Sequence, residues 1–193
     1  RSPKQVFDEV VPGDIKYKDQ NGDGIIDNND KKAFGYTQSP EWSFGLHGGF
    51  NYKGFDLDIM FHGVANRTVY WEGKRFQAFQ NSGKISEVAL KRWTPETAET
   101  ATYPRLSTDG NQNNYQYSTF WQKNGNFLKL RNLEFGYTLP ERLTNKIKLE
   151  KLRVFANATN LFSLDHMEGQ VDPETLYGHP AIRTFSLGLN LQF

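Results

Sequence analysis

The stretch that decides the fold is Arg183–Phe193, which reads RTFSLGLNLQF. Every second residue from Phe185 to Phe193 is apolar, and the residues between them are small or polar. Such alternation places successive side chains on opposite faces of a β-strand. The stretch also has the length of about 9–11 residues that a tilted strand needs to cross a bilayer. It therefore predicts a transmembrane strand, provided that the pattern recurs, because each strand of a barrel carries only a weak signal.

The alternating pattern recurs in four other stretches, which gives about five strands in all. The first two of these stretches are separated only by Lys53-Gly54, which predicts a tight hairpin turn. In the third stretch the apolar residues change phase near Arg131-Asn132, which predicts a β-bulge. The four stretches are residues 42–52, 55–64, 126–139 and 151–162.

The connections between the predicted strands alternate between short and long. Residues 65–125 and 163–182 are the long ones, and antiparallel pairing places both at the same end of the sheet. Outer-membrane barrels have this asymmetry, with long extracellular loops and short periplasmic turns. The predicted fold class is therefore all-β: about five C-terminal antiparallel strands of a large transmembrane β-barrel. Residues 1–41 are predicted to be an extracellular loop, and residues 42–193 the barrel strands with their loops.

Composition agrees with a β-protein whose strands are apolar on one face only. The 193 residues are 15% aromatic, yet their mean hydropathy is only −0.70. No run approaches the roughly 18 apolar residues of a membrane helix. The net charge of +1 leaves no nucleic-acid footprint, and the absence of cysteine excludes disulfides and thiolate metal sites. Arg1–Val10 does not resemble a signal peptide, so we expect the chain to be the C-terminal part of a longer precursor rather than an unexported protein.

Residues 19–30 have the spacing of an EF-hand calcium loop, with Gly24 at the position of the sharp turn. Two features depart from that motif, since position 12 is Asp30 rather than Glu and no amphipathic helices flank the loop. We therefore predict a structural Ca²⁺ site rather than a calcium sensor; the alternative is a turn without metal. The predicted ligands are Asp19, Asn21, Asp23, the backbone carbonyl of Ile25, Asp27 and Asp30.

Aromatic residues are frequent in the long connection and are candidates for stacking on a ligand or on a partner protein. The alternative for each of them is packing inside the loop. The candidates are Tyr70, Trp71, Trp93, Tyr115, Tyr117 and Trp121.

No enzymatic site is predicted. Asp56 and Asp58 share a strand face, as the carboxylates of a glycosidase could, but a polar face that borders water explains both residues. The histidines lack metal-ligand spacing, and neither a nucleophile elbow nor a phosphate-binding glycine loop is present.

Several short motifs together resemble the C-terminal portion of SusC/RagA-type, TonB-linked outer-membrane transporters. They cover nearly the whole chain in the order of that family, which is more specific than any one of them alone. The motifs are Pro12-Gly-Asp-Ile-Lys-Tyr-Lys-Asp19 followed by NGDGIID, Tyr52-Lys-Gly-Phe-Asp56, Arg92-Trp-Thr-Pro95, Tyr103-Pro-Arg-Leu106, Leu128-Lys-Leu-Arg-Asn132, Phe135-Gly-Tyr-Thr-Leu-Pro140, Leu152-Arg-Val154, Asn160-Leu-Phe162 and the terminal Phe193.

The resemblance implies a bacterial outer-membrane location in contact with lipid, with extracellular loops and a periplasmic C-terminus. It implies import of a glycan, or of a peptide, by a complete protein with a plug and a TonB box, neither of which lies in these residues. It further implies a SusD-like surface lipoprotein as a lid, TonB as the energy-coupling partner, and Phe193 as part of an assembly signal.

One alternative of a different class is a soluble, calcium-stabilised β-sandwich that binds carbohydrate. It explains the residue 19–30 motif and the aromatic content. It requires the apolar face of the strands to be covered by a second sheet, whereas a barrel leaves that face to lipid.

Overall fold

The computed structural model describes residues 3–108 and 110–193, which form strands, short helical turns and loops. None of the helices in this part of the chain is long and apolar enough to cross a membrane. The strands are β1 (Lys4–Gln5), β2 (Ile25–Ile26), β3 (Trp42–Tyr52), β4 (Phe55–Ala65), β5 (Thr68–Tyr70), β6 (Gln122–Asn124), β7 (Phe127–Thr138), β8 (Lys151–Asp165) and β9 (Thr184–Gln192). The helical elements are α1 (Glu141–Thr144) and 3-10 turns at Asn28–Asp30, Gln80–Ser82, Glu87–Lys91, Pro95–Thr97 and Asn145–Ile147.

Five long strands form one antiparallel sheet in the order β3-β4-β7-β8-β9. This is the fold class predicted from the alternating pattern. Four of the strands lie within one residue of their predicted bounds, whereas β8 continues three residues beyond the predicted end at residue 162. The predicted connection 65–125 also contains two short strands, β5 and β6, which pair with each other.

The register places the short connections of the sheet at one end and the long ones at the other. At the short end, Tyr52 pairs with Phe55 and Lys151 pairs with Gln192. At the other end, Phe127 pairs with both Val64 and Asp165, so residues 66–126 and 166–183 leave the sheet at the same end of the strands. The sheet therefore has the arrangement of connections that the sequence predicted.

A bulge interrupts the centre of the sheet at Arg131. On β4, the adjacent residues Met60 and Phe61 pair with Asn132 and Leu130, which leaves Arg131 without an opposite residue. The register with β8 also shifts at this point. The structure confirms the bulge predicted near Arg131-Asn132, and the extra residue allows the apolar phase to change while both halves of β7 keep their apolar side chains on one face.

The chain divides differently from the predicted boundary at residue 41. The loop unit consists of the residues up to Gly35 together with Val69–Lys123, and the sheet unit consists of Tyr36–Thr68 and Asn124–Phe193. The predicted N-terminal loop does not stand alone because asparagine side chains from the long connection bind its backbone. The side chain of Asn114 accepts a hydrogen bond from the Ile15 N–H at 2.8 Å, and that of Asn113 donates one to the Ile15 carbonyl at 2.9 Å.

The loop unit has an aromatic core. The rings of Trp71 and Phe76 stack at a centroid distance of 4.6 Å, and Trp121 packs edge-on against Tyr103 at 5.7 Å. Within this core, the Trp121 indole N–H donates a hydrogen bond to the Asn114 carbonyl at 2.7 Å. The loop unit is thus packed around buried rings instead of being an open chain.

Candidate functional site

The first functional surface is the apolar face of the sheet, which is open along β3 and β9. Phe185, Leu187 and Leu189 are 72%, 87% and 64% exposed, and no second sheet covers them within the described residues. The sandwich alternative requires such a cover, so its central requirement is not met in this part of the chain. Four side chains of β3 on the same face are also more than half exposed: Trp42, Leu46, Phe50 and Tyr52. A continuous apolar surface of this kind marks contact with a partner or with lipid.

The opposite face of the sheet carries charged groups that pair between strands. Arg153 of β8 contacts Asp56 of β4 through two hydrogen bonds, one of them at 2.9 Å, and Glu134 of β7 at 2.7 Å. His47 of β3 lies 2.6 Å from Asp58 of β4. Asp56 and Asp58 are therefore paired members of a polar face. This agrees with the explanation preferred for them over a catalytic carboxylate pair.

A second group of ion pairs lies on the same face and involves the connection between β8 and β9. The Lys129 ammonium is 2.7 Å from Asp172, and Arg131 pairs with Glu174. Burial opposes the charged form of Asp172, but the hydrogen bonds from Lys129 and from the backbone N–H groups of Glu174 and Ala181 outweigh it and lower its pKa. These pairs were not predicted, because nothing in a strand pattern indicates which loop residue meets a charged strand residue.

The predicted calcium loop is ordered by its own acidic side chains. Asp19 accepts hydrogen bonds from the N–H groups of Gly22 and Gly24 at 2.6 and 2.9 Å. Asp30 accepts one from the Gln20 N–H at 2.6 Å, and Asp27 caps the following 3-10 turn through the Asn29 N–H. Backbone hydrogen bonds lower the pKa of Asp30.

The fit of this loop to a calcium ion is partial. No three His, Cys, Asp or Glu side chains within the described ranges are grouped so that they could hold a metal. On the other hand, the carbonyls of Gly24 and Ile26 bond to β1, so the intervening Ile25 carbonyl points away from β1, as a ligand at this position must. The oxygen donors are of the type that calcium prefers, but a cation would require the loop carboxylates to turn toward one point.

Two of the six candidate contact aromatics are core residues. Trp71 is 5% exposed and Trp121 is 2% exposed, so these two rings stabilise the loop unit. Their positions follow the alternative given for each aromatic in the sequence analysis, which is packing inside the loop. Trp93 is half-buried against Gly13, and the half-buried Tyr115 donates a hydrogen bond to the Ala78 carbonyl.

The other two candidates form a pair near the surface. The rings of Tyr70 and Tyr117 lie 4.5 Å apart, and the Tyr117 hydroxyl donates to Glu72 at 2.8 Å. Tyr117 is 68% exposed, whereas Tyr70 is half-buried and burial raises its pKa to about 12. Of the six candidates, Tyr117 is the one whose side chain is exposed.

Asp14 organises the contact between the N-terminal segment and the long connection, a role that the sequence analysis did not assign. Its carboxylate accepts hydrogen bonds from Asn111 and Asn114, both at 2.8 Å, and lies 2.7 Å from the Arg105 guanidinium. The preceding Gly13 accepts a hydrogen bond from the Arg105 N–H at 2.9 Å. Asp14 and Arg105 both belong to motifs that carried the family resemblance, but only the structure shows that the two motifs meet.

The fold and its surfaces together define a class of protein. An antiparallel sheet with one open apolar face, one ion-paired polar face and long connections at one end is a section of a transmembrane β-barrel.

Comparison with known proteins then gives the family. No family model matches the chain. The chain is 30% identical over 198 residues to the TonB-dependent receptor SusC of Bacteroides thetaiotaomicron, covering 98% of this chain and 19% of that receptor. It is 27% identical over 207 residues to TonB-dependent receptor P3 of Formosa agariphila, and the match covers 94% of this chain and 19% of that receptor. The chain thus spans about a fifth of the length of these curated relatives.

Solved structures show the same fold. The chain matches the RagAB peptide transporter with a TM-score of 0.65 at 24% identity, covering 88% of this chain and 19% of that one. It matches the closed-closed state of the RagAB peptide importer with a TM-score of 0.65 at 23% identity, and the match covers 95% of this chain and 21% of the importer chain. These matches confirm the resemblance: the chain is similar to the C-terminal part of SusC/RagA-type TonB-dependent receptors, which are outer-membrane proteins. These relatives are named as receptors, in agreement with the prediction of no enzymatic site.

Proposed function

We propose that this chain forms C-terminal strands of the barrel of a TonB-dependent transporter that imports a nutrient across the bacterial outer membrane. The observation that carries the proposal is the open apolar face of β3-β4-β7-β8-β9, opposite a face of paired charges. Lipid matches the first surface, and a water-filled interior matches the second.

The proposal also orients the chain in the membrane. The Lys53-Gly54 turn and the connection 139–150 lie at the periplasmic end, together with the C-terminus. The loop unit and residues 166–183 then belong to the extracellular side, because long loops of such barrels are extracellular. The orientation is supported by the register, which gathers the short connections at one end.

Cargo and partners follow from the relatives. A neighbour of this fold is a peptide importer and another relative is SusC, so the proposed cargo is a glycan or a peptide. The proposed partners are a SusD-like surface lipoprotein, which would meet the extracellular loops, and TonB, which would bind outside this chain. Tyr70 and Tyr117 are the best placed of the candidate aromatics for contact with cargo or with the lipoprotein.

The face assignment is tested by placing a fluorophore on either side of β9. The chain has no cysteine, so Leu187→Cys and the matched Ser186→Cys provide single labelling sites on opposite faces in a cysteine-free full-length receptor. After bimane labelling and reconstitution, lipids with a quenching group in the acyl chain should quench the label at residue 187 strongly and the label at 186 weakly. Equal quenching at both positions would contradict the proposal.

We further propose that residues 19–30 bind one structural Ca²⁺ through Asp19, Asn21, Asp23, the Ile25 carbonyl, Asp27 and Asp30. The oxygen donors, their spacing and the direction of the Ile25 carbonyl support this proposal. Calcium should protect the loop unit of the full-length receptor from proteolysis, and Asp19→Asn combined with Asp23→Asn should abolish the protection. Glu99→Gln is the acidic control in the same unit. Equal protection with calcium and with a chelator would contradict the site.

A further inference from the structure

The connection from His166 to Arg183, called the strap below, is fastened to the polar face of the sheet. Lys129 of β7 holds it at two points, since its ammonium lies 2.7 and 2.8 Å from the two oxygens of Asp172 and 3.4 Å from Glu174. The Lys129 side chain is only 3% exposed. A lysine is rarely buried to this degree unless it is paired, so the strap supplies the counter-charges for a cation of the sheet.

The bulge provides a second point of attachment. Arg131, the extra residue of β7, forms an ion pair with Glu174 and hydrogen bonds with Asn160 at 3.1 Å and His62 at 3.3 Å. Arg131 thus places a second cation beside Lys129, opposite a second carboxylate of the strap.

A third attachment and a small core make the strap rigid. The Arg67 guanidinium donates to the Pro173 carbonyl at 2.6 Å and to the Gln38 carbonyl at 2.8 Å. Within the strap, Asp172 accepts hydrogen bonds from the N–H groups of Glu174 at 2.8 Å and Ala181 at 3.2 Å. Met167 and Leu176 are buried. A segment with three attachments and its own buried side chains differs from loops that open at low cost, which have few such contacts.

We infer that the strap is a fixed part of the wall of the aqueous passage, narrows its extracellular mouth, and is held there by Lys129 and Arg131 as positioning residues. The inference rests on the proposed function, because it takes the polar face as the lining of the passage. A long loop on this face could otherwise swing outward as a lid. The four paired charges and the Arg67 attachment oppose that movement, so the strap limits the width available to cargo on this side.

The experiment measures passage width beside the strap in the full-length receptor in whole cells. Ser43 is the reporter position because its hydroxyl lies 3.4 Å from His62, which contacts Arg131. In Ser43→Cys, we compare the labelling rate of a small cationic methanethiosulfonate with that of a maleimide bearing a long polyethylene glycol chain. The ratio of the two rates reports width and does not depend on the amount of folded receptor.

Lys129→Met and Asp172→Asn each break the attachment from one side and should raise the ratio of bulky to small labelling by about tenfold or more, since removing one partner of a buried pair is strongly destabilising. Lys151→Met and Glu150→Gln, at the other end of the sheet, are the matched controls and should leave the ratio unchanged. Met167→Cys, at a buried position of the strap, is a second reporter. It should react with the small reagent faster only in Lys129→Met and Asp172→Asn, called the release variants, because only these two detach the strap.

Three results would overturn the inference: an unchanged ratio in both release variants, an equal rise in the controls, or rapid labelling of Met167→Cys in the otherwise unaltered receptor. Failure of the proposed function gives a different pattern. In that case neither reagent labels Ser43→Cys in any variant, whereas Leu187→Cys on the apolar face is labelled by both.

Discussion

At Gly13 the N-terminal segment packs closely against the long connection. The φ of this glycine, +92°, lies in the left-handed region, and a Cβ atom built on it would overlap the Trp93 ring. Glycine is required at this position for two reasons. It adopts a positive φ without a steric penalty, and its lack of a Cβ atom leaves space for the Trp93 ring. The glycine of the Pro12-Gly13-Asp14 motif thus has a physical reason that sequence alone did not supply.

We predict that Gly13→Ala destabilises the loop unit by about 2–5 kcal/mol, from backbone strain of about 1–2 kcal/mol and overpacking of about 1–3 kcal/mol. Gly48→Ala is the control, because nothing lies within 4 Å of its Cβ and its φ is not in the left-handed region. The measurement is the urea concentration at which the loop unit of the full-length receptor becomes susceptible to protease. Equal shifts for the two variants would contradict the role of Gly13.

A second prediction at this scale concerns pH and the strap. The pKa of Asp172 is lower in the folded protein than in the unfolded chain, so its pairing with Lys129 stabilises the strap fully above the unfolded value of about 3.9. The stabilisation is lost as pH falls through the lower, folded pKa. Labelling of Met167→Cys, corrected for the reactivity of a free thiol, should therefore stay slow from neutral pH to about pH 4 and rise below it. The other charged groups that face this pair are Glu174, Arg131, His62 and Arg67.

The corresponding control is Asp172→Asn, in which the labelling rate should already be high at neutral pH and change less on acidification. A rise in the labelling rate of the unaltered receptor between pH 7 and pH 6 would contradict the role of Asp172.

At the scale of elements, the strands were predictable and the loop unit was not. Alternation of apolar and polar residues, as in Phe185–Gln192, depends only on local sequence and fixes both the strand and its two faces. The phase change that predicted the bulge at Arg131 is equally local. The joining of the N-terminal segment to the long connection depends on side chains about a hundred positions apart, such as Ile15 and Asn114, and no periodicity encodes such pairs.

The absence of a local pattern is also why the buried and the exposed aromatic candidates could not be told apart from sequence. Trp71 and Trp121 are core residues, whereas Tyr117 is exposed, although all three lie in a polar connection with no repeating pattern. Hydrophobicity alone does not separate them, since rings suit both a core and a binding surface. The charged strand residues were correctly placed on the polar face, but their partners in the strap could not be named from sequence.

The apolar face of β9 gives a prediction for a single element. Leu189→Arg should destabilise the inserted receptor by about 2–4 kcal/mol if the residue lies near the bilayer midplane, because a charge there faces hydrocarbon. Ser186→Arg, on the polar face of the same strand, should cost less. Equilibrium unfolding of the full-length receptor in lipid vesicles measures both. A Leu189→Arg variant as stable as the parent would be incompatible with a lipid-facing β9.

At the scale of the whole molecule, the end of the chain is predicted to act in assembly. The family resemblance implies that the terminal aromatic strand is read by the assembly machinery, and Phe193 is 84% exposed. Deletion of Phe193 should lower the amount of receptor in the outer membrane, whereas Phe193→Tyr should largely preserve it. Fractionation of cells that express the full-length variants, with barrel folding monitored by heat-dependent gel mobility, tests this. Normal membrane insertion of the receptor that lacks Phe193 would contradict a role of this residue in assembly.

The way in which the loop unit is assembled constrains the order of folding. The N-terminal segment forms hydrogen bonds with Asn111, Asn113 and Asn114, yet two long strands, β3 and β4, lie between these partners in the chain. The N-terminal segment therefore cannot form these contacts until residues 111–114 have been made, and the entropy cost of closing so long a loop comes before any contact offsets it. Under the proposed function, periplasmic chaperones would meet this segment while its asparagine partners are still absent.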